Sequence, residues 1–120
     1  MSCTITSREI GGVTIIDIAG RVSFQDPHLP APLAEQIESG HRSFVINLSG
    51  VTYIDSYGLR DLVGAYNAVK QAGGRINISR PIPNVRKVLE ITMKGIFEIY
   101  DDEAQAIAAV KNQSKSTSNS

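Results

Sequence analysis

The 120-residue chain carries 12 Lys plus Arg against 12 Asp plus Glu, so its formal net charge is zero and no basic excess marks it for direct nucleic-acid binding. Apolar residues make up 42%, which at this length supports one domain with its own core. The single cysteine, Cys3, excludes an intramolecular disulfide, no apolar run approaches the ~20 residues of a bilayer span, and no basic segment followed by an apolar stretch opens the chain; the expectation is a cytoplasmic protein without membrane insertion.

Residues 3–10 and 13–20 read as two strands joined by Gly11-Gly12, a pair that accepts the positive φ of a two-residue hairpin. Val13, Ile15, Ile16 and Ile18 make the second run the more apolar and therefore the more central. The first becomes an antiparallel edge strand, with Cys3 as a structural residue because no His, Cys or Lys lies near it. Residues 20–27 form a loop. A helix follows with Pro30 and Pro32 at its start, Leu29, Leu33 and Ile37 on its buried face and Gly40 as its stop.

Phe44–Leu48 is a short run of branched residues, the pattern of a central parallel strand covered on both faces. Ser49-Gly50 is expected to end it in a turn, with Tyr53-Ile54 bringing the chain back to the core. From Ser56 a helix is marked by Leu59, Leu62, Val63, Tyr66 and Val69, and it stops at Gly73-Gly74. Residues 75–79 alternate as a strand. Pro81 and Pro83 lead into a helix with Val85, Val88, Leu89 and Thr92 inward, and Ile96, Phe97 and Ile99 make a last short strand. Asp101 is the expected cap of the final helix, with Asp102 and Glu103 at its positive end and Ala106, Ile107 and Val110 on its core stripe. Residues 112–120 are polar and Ser-rich, and are expected to be a disordered tail behind a domain spanning 1–111.

The order β-β-α-β-α-β-α-β-α predicts an α/β sandwich on a mixed, mostly parallel sheet with an antiparallel edge strand. Asp55-Ser56 then stands above the carboxyl end of a parallel strand and at the start of a helix, where open α/β sheets place ligand chemistry. Taken alone, the pair is first of all a helix cap, its side-chain oxygens accepting otherwise unpaired amide protons for about 1 kcal/mol.

The stretch Ile54-Asp55-Ser56-Tyr57-Gly58-Leu59 resembles the Asp-Ser-Ser/Thr-Gly-Leu signature of anti-sigma factor antagonists, single-domain members of the STAS family. Residues 84–92 followed by 96–100 resemble the closing helix and strand of that family, so the likeness runs over roughly residues 4–110. The resemblance implies a STAS-like sandwich of the order just read. It also implies a function. The unphosphorylated chain would bind an anti-sigma factor that is itself a serine kinase and release the sigma factor; phosphorylation at Ser56 would reverse this, and a phosphatase would reset it. Asp55 would cap the helix, orient the hydroxyl or help hold the kinase's metal-nucleotide. Tyr57, Gly58, Ser23 and Asp26 would complete the partner surface, Gly58 by letting a partner approach closely. The helix dipole and free amide groups at this corner would accommodate the phosphate, so modification would act on binding and leave the fold intact.

Two positions depart from the family pattern. Tyr57 replaces the usual Ser or Thr, and Ser23 stands where an Asp is frequent, with Asp26 nearby as a substitute. The alternative within the fold is a constitutive STAS scaffold, or an accessory subunit of a signalling assembly or lipid-transport system, with no phosphoserine switch; homodimerisation is open in either reading. A receiver domain phosphorylated at Asp55 would need an acidic pair after its first strand and a Lys near its last, and neither stands in that context. A serine hydrolase would need Ser56 in Gly-x-Ser-x-Gly and a base, and the residues of that kind are the loop histidines His28 and His41. Neither Gly11-Gly12 nor Gly73-Gly74 belongs to a phosphate-cradling motif. No enzyme activity, cofactor or metal is therefore expected, and Arg80, Arg86, Lys87 and Lys94 read as a solvated charged face.

Overall fold

The computed structural model describes the backbone of residues 3–22 and 30–118, and side chains within 4–22 and 32–111. The elements run β1 (Cys3–Ile10), β2 (Val13–Val22), α1 (Pro30–Glu38), β3 (Ser43–Ile54), α2 (Ser56–Gln71), β4 (Arg75–Ser79), α3 (Pro83–Thr92), β5 (Ile99–Tyr100) and α4 (Glu103–Ser118). The five strands lie side by side in chain order, β1 antiparallel to β2 and every later pair parallel. At the hairpin Gly11 and Gly12 have φ of 55° and 86°, the left-handed pair that a tight β1–β2 turn requires.

Strand order and chain order coincide, so each of the three crossovers steps one strand in the same direction. The right-handed rule then sends α1, α2 and α3 to a single face. They share it: Leu33, Leu62, Ala65, Val69, Val85 and Leu89 are buried in one cluster with Ile16, Ile18, Phe44, Ile46, Ile76 and Ile78. The intervening strand residues point the other way, and Val13, Ile15 and Val45 pack beneath Ala106 and Val110 of α4. Phe44, Val45 and Ile46 are each fully buried, which is why this segment reads as an unbroken apolar run and not as an alternation.

Four local expectations are corrected. Ser49-Gly50 is no turn: β3 continues through it to Ile54, paired with β2 across register shifts between Asp17 and Ala19 and between Gly20 and Arg21. The turn chemistry serves a bulge, in which the Asn47 side-chain oxygen accepts from Ser49 N at 3.0 Å. Gly50 lies so close to β2 that a Cβ there would meet Ala19 Cβ at 2.9 Å. Thr92 faces solvent and donates to Val88 O at 2.7 Å; the buried position at that end of α3 is Met93. Ile96 closes a turn and Phe97 follows it, both ahead of β5, with Phe97 buried edge-on to Tyr66 at a centroid distance of 5.3 Å. Asp102, not Asp101, caps α4 by accepting from Gln105 N at 3.2 Å, while Asp101 pairs with Arg86. The described backbone of α4 runs Glu103–Ser118. Its apolar stripe in the sequence ends at Val110, and no Gly or Pro interrupts the sequence between Glu103 and Ser118, so no local breaker stops the helix there.

Candidate functional site

The bulges in β3 set the approach to the corner. They carry the strand on past its central pairing so that Val51 and Ile54 are buried while Tyr53 is exposed. Asp55 N then donates to Val22 O at 3.3 Å, fastening the corner to the end of β2. Asp55 itself is extended, with φ −112° and ψ −172°, and its Oδ1 accepts from both Tyr57 N and Gly58 N at 3.0 Å. Leu59 N donates to Asp55 O at 2.9 Å, closing the first turn of α2. Of the three roles open to Asp55, the geometry assigns helix capping.

Ser56 is the first residue of α2 and is exposed. Among the described residues none forms a hydrogen bond with its hydroxyl. Tyr57, 46% exposed, is its immediate neighbour on the surface. Gly58 packs against the chain's own strands. It is buried, and a Cβ there would stand 2.5 Å from Val22 O and 2.8 Å from Ile54 Cγ1. Its lack of a side chain admits the chain's own β2 and β3 termini. Two amide groups expected to be free at this helix start, those of Tyr57 and Gly58, are likewise occupied by Asp55.

Two arginines at the corner escaped the sequence reading. Arg21 pairs with Tyr53 across the β2–β3 ladder and lays its guanidinium 4.1 Å from the centre of that ring. Arg60, one turn into α2, stands 5.7 Å from the Tyr57 ring centre. The Ser56–Arg60 spacing of four was visible in the sequence as a shared helix face. The Arg21–Tyr53 contact was not, because it depends on the bulged register. The corner therefore presents a hydroxyl beside two tyrosines, each with an arginine at its face.

The other expected participants are distributed as follows. Ser23 and Asp26 lie outside the described residues, as does His28. His41 is at the amino end of β3, within 3.2 Å of Thr14 Oγ1, and Ser56 is beyond the carboxyl end of the same strand. A Ser56–His41 catalytic pair is thereby excluded. Of the basic residues near α3, Arg86 is committed to Glu90 at 2.9 Å and to Asp101. Among the described residues no group of three His, Cys, Asp or Glu is placed to hold a metal ion, and no helix is long and apolar enough to cross a membrane.

Comparison with known proteins follows from this geometry. The family model for the STAS domain matches residues 4–106. BtrV of Bordetella bronchiseptica is 33% identical over 109 residues, which cover 89% of this chain and 94% of that protein. The anti-sigma-B factor antagonist of Bacillus subtilis is 30% identical over 97 residues, 80% of this chain and 86% of that protein. Among solved structures, the Bacillus anti-sigma factor antagonist SpoIIAA in its unphosphorylated form superposes with a TM-score of 0.74 at 21% identity, over 91% of this chain and 97% of that one. The same protein in its phosphorylated form gives 0.67 at 19% identity, over 89% and 99%. The sheet, the helix placement and the extent of these matches agree: the chain belongs to the STAS-domain family.

Proposed function

We propose that the chain is an anti-sigma factor antagonist whose unphosphorylated form binds an anti-sigma factor with serine kinase activity and so releases a sigma factor. Phosphorylation at Ser56 reverses the binding, and a phosphatase restores it. The observation that carries this reading is the exposed, unengaged Ser56 hydroxyl at the first position of a helix already capped by Asp55. A kinase can reach the hydroxyl without disturbing a hydrogen bond among the described residues. Support comes also from relatives named as anti-sigma factor antagonists and from SpoIIAA, solved with and without phosphate.

The physics of the switch is local. Phosphoserine adds about −1.5 to −2 charge. The Asp55 cap and the Val22 tie hold the corner by backbone and side-chain bonds that do not involve the Ser56 hydroxyl, so the domain stays folded when it is modified. A partner seated over the corner meets a new anion, and a loss of about 4 kcal/mol weakens its binding about a thousandfold. Arg21, Tyr53, Tyr57 and Arg60 supply the residue types that dominate binding energy at protein interfaces.

The test is phosphosite mapping by mass spectrometry after incubation with ATP and a lysate of the source organism. Phosphate on Ser56, absent from a Ser56→Ala control, is the expected result. Its absence under conditions that phosphorylate another STAS protein of the same lysate would favour a constitutive binding module instead.

A further inference from the structure

We propose that Arg60 is the counter-ion that a phosphate on Ser56 takes from within the chain, giving up its place over Tyr57 to do so. The inference rests on the reading of Ser56 as a modified residue and adds the group that receives the charge.

A phosphate at the start of a helix would ordinarily be met by the first free amide groups. Here Asp55 Oδ1 holds both Tyr57 N and Gly58 N at 3.0 Å. The incoming anion therefore meets a neighbouring carboxylate and finds those two donors taken. A side-chain cation on the same helix face can supply the charge that those donors do not. Arg60 follows Ser56 by four residues in α2, which puts the two on one helix face with Cβ atoms ~5–6 Å apart, the anion N-terminal to the cation in the favourable order. The guanidinium fork matches phosphate oxygens two at a time.

The alternative donor is Arg21, and the ring geometries decide between them. Arg21 lies 4.1 Å from the Tyr53 ring centre, a close stack. Arg60 lies 5.7 Å from that of Tyr57, near the ~6 Å limit of a useful cation–π contact at an exposed site. Arg60 therefore has the less to lose. Its departure uncovers the face of Tyr57, so modification changes two features of the surface together: an anion arrives and a tyrosine loses its cation. Asp61 is the other titratable group beside Arg60 in sequence, and with Asp55 it is present in every variant compared below.

The experiment uses the full chain with phosphoserine installed at position 56 by genetic encoding. It needs no kinase, so its outcome is separate from whether the source organism modifies Ser56. Titration followed by 31P NMR reads the second phosphate pKa, which is about 6 in an unperturbed phosphoserine. A nearby cation favours the dianion and lowers this value. The unsubstituted chain is expected to titrate ~0.5 unit below Arg60→Gln, with Arg60→Lys between them and Arg21→Gln unchanged. The Tyr57 ring resonances should differ between serine and phosphoserine forms, and that difference should be smaller in Arg60→Gln, where no cation leaves the ring. Arg60 is exposed, so these variants fold. Equal values for the unsubstituted chain and Arg60→Gln, or a shift produced by Arg21→Gln instead, would overturn the proposal.

Discussion

The two faces of the sheet are built by different means. Under α1, α2 and α3, eighteen described residues form a continuous buried apolar cluster that runs from Ile16 to Phe97 and includes Val22 and Ile54 beside the Asp55-Ser56 corner. Under α4 the buried apolar set is five residues, and polar links make up much of the rest. Arg8 bridges Asp17 at 2.7 and 3.0 Å and Glu103 at 2.6 and 3.2 Å. Asn47 donates to Asp17 at 2.7 Å, and Asn77 donates to Ala106 O at 3.1 Å. The Asn77 side-chain oxygen and the Ser79 hydroxyl are buried on this side without a partner among the described residues. The first face is a dry core that fixes backbone positions. The second is a docked helix held by a smaller apolar set with a rim of polar links. The Asp55-Ser56 corner grows from the rim of the first, where Val22 and Ile54 are buried and Asp55 caps α2.

That contrast can be broken most strongly in the core. Leu89→Ala on α3 should cost about 2–5 kcal/mol, the range for a fully buried leucine whose surroundings cannot collapse. Val110→Ala under α4 removes two buried methyl groups and should cost about 1–2 kcal/mol. Urea unfolding of both variants checks the order; an equal or larger loss for Val110→Ala would mean that α4 is as tightly packed as the other helices. Gly58→Ala comes next. The added Cβ would press on Val22 O and Ile54, so α2 must shift off the β2 and β3 termini at about 1–3 kcal/mol. Because the shift carries Ser56 with it, this variant should also lose partner binding, unlike Val110→Ala.

The smallest effect is electrostatic and belongs to α4's side. Arg8, hydrogen-bonded to Asp17 and aided by Asn47, holds the Asp17 carboxyl below its ordinary value of 3.8. A carboxylate with a depressed folded-state pKa contributes stability above its unfolded value and loses it as pH falls through the folded one. Asp17→Asn should therefore destabilise by up to about 1 kcal/mol at neutral pH, as for a well-formed exposed pair. The difference should shrink as pH falls below 3.8. Thermal melts across pH 2–7 measure it. Tyr100 belongs to this face too, its phenol pushed up to about 12 by its hydrogen bond to Glu98, by burial and by the Glu98 charge.

The sequence made the apolar skeleton legible for a physical reason. Strand and helix periods are written in side chains that must be buried, and Phe44–Leu48, Leu62, Val69, Val85 and Leu89 all declared their faces. What it concealed depends on pairing. Ser49-Gly50 carries turn residues whether it turns or bulges, and only the β2 register distinguishes the two. Gly58 looks like an opening in the surface until Val22 is placed against it. Ser56 is singled out by a local motif, whereas Arg21 required two bulges to reach Tyr53. Asp101 and Asp102 are equivalent as caps in sequence, and Arg86 on another helix separates their roles.

The most direct test of the central claim is a calorimetric titration of the chain with the anti-sigma factor of its own source, comparing the unmodified protein with protein phosphorylated at Ser56. The account predicts tight binding by the first and binding weaker by about a thousandfold in the second, with unchanged circular dichroism. Equal affinities, or a loss of binding that accompanies unfolding, would contradict it.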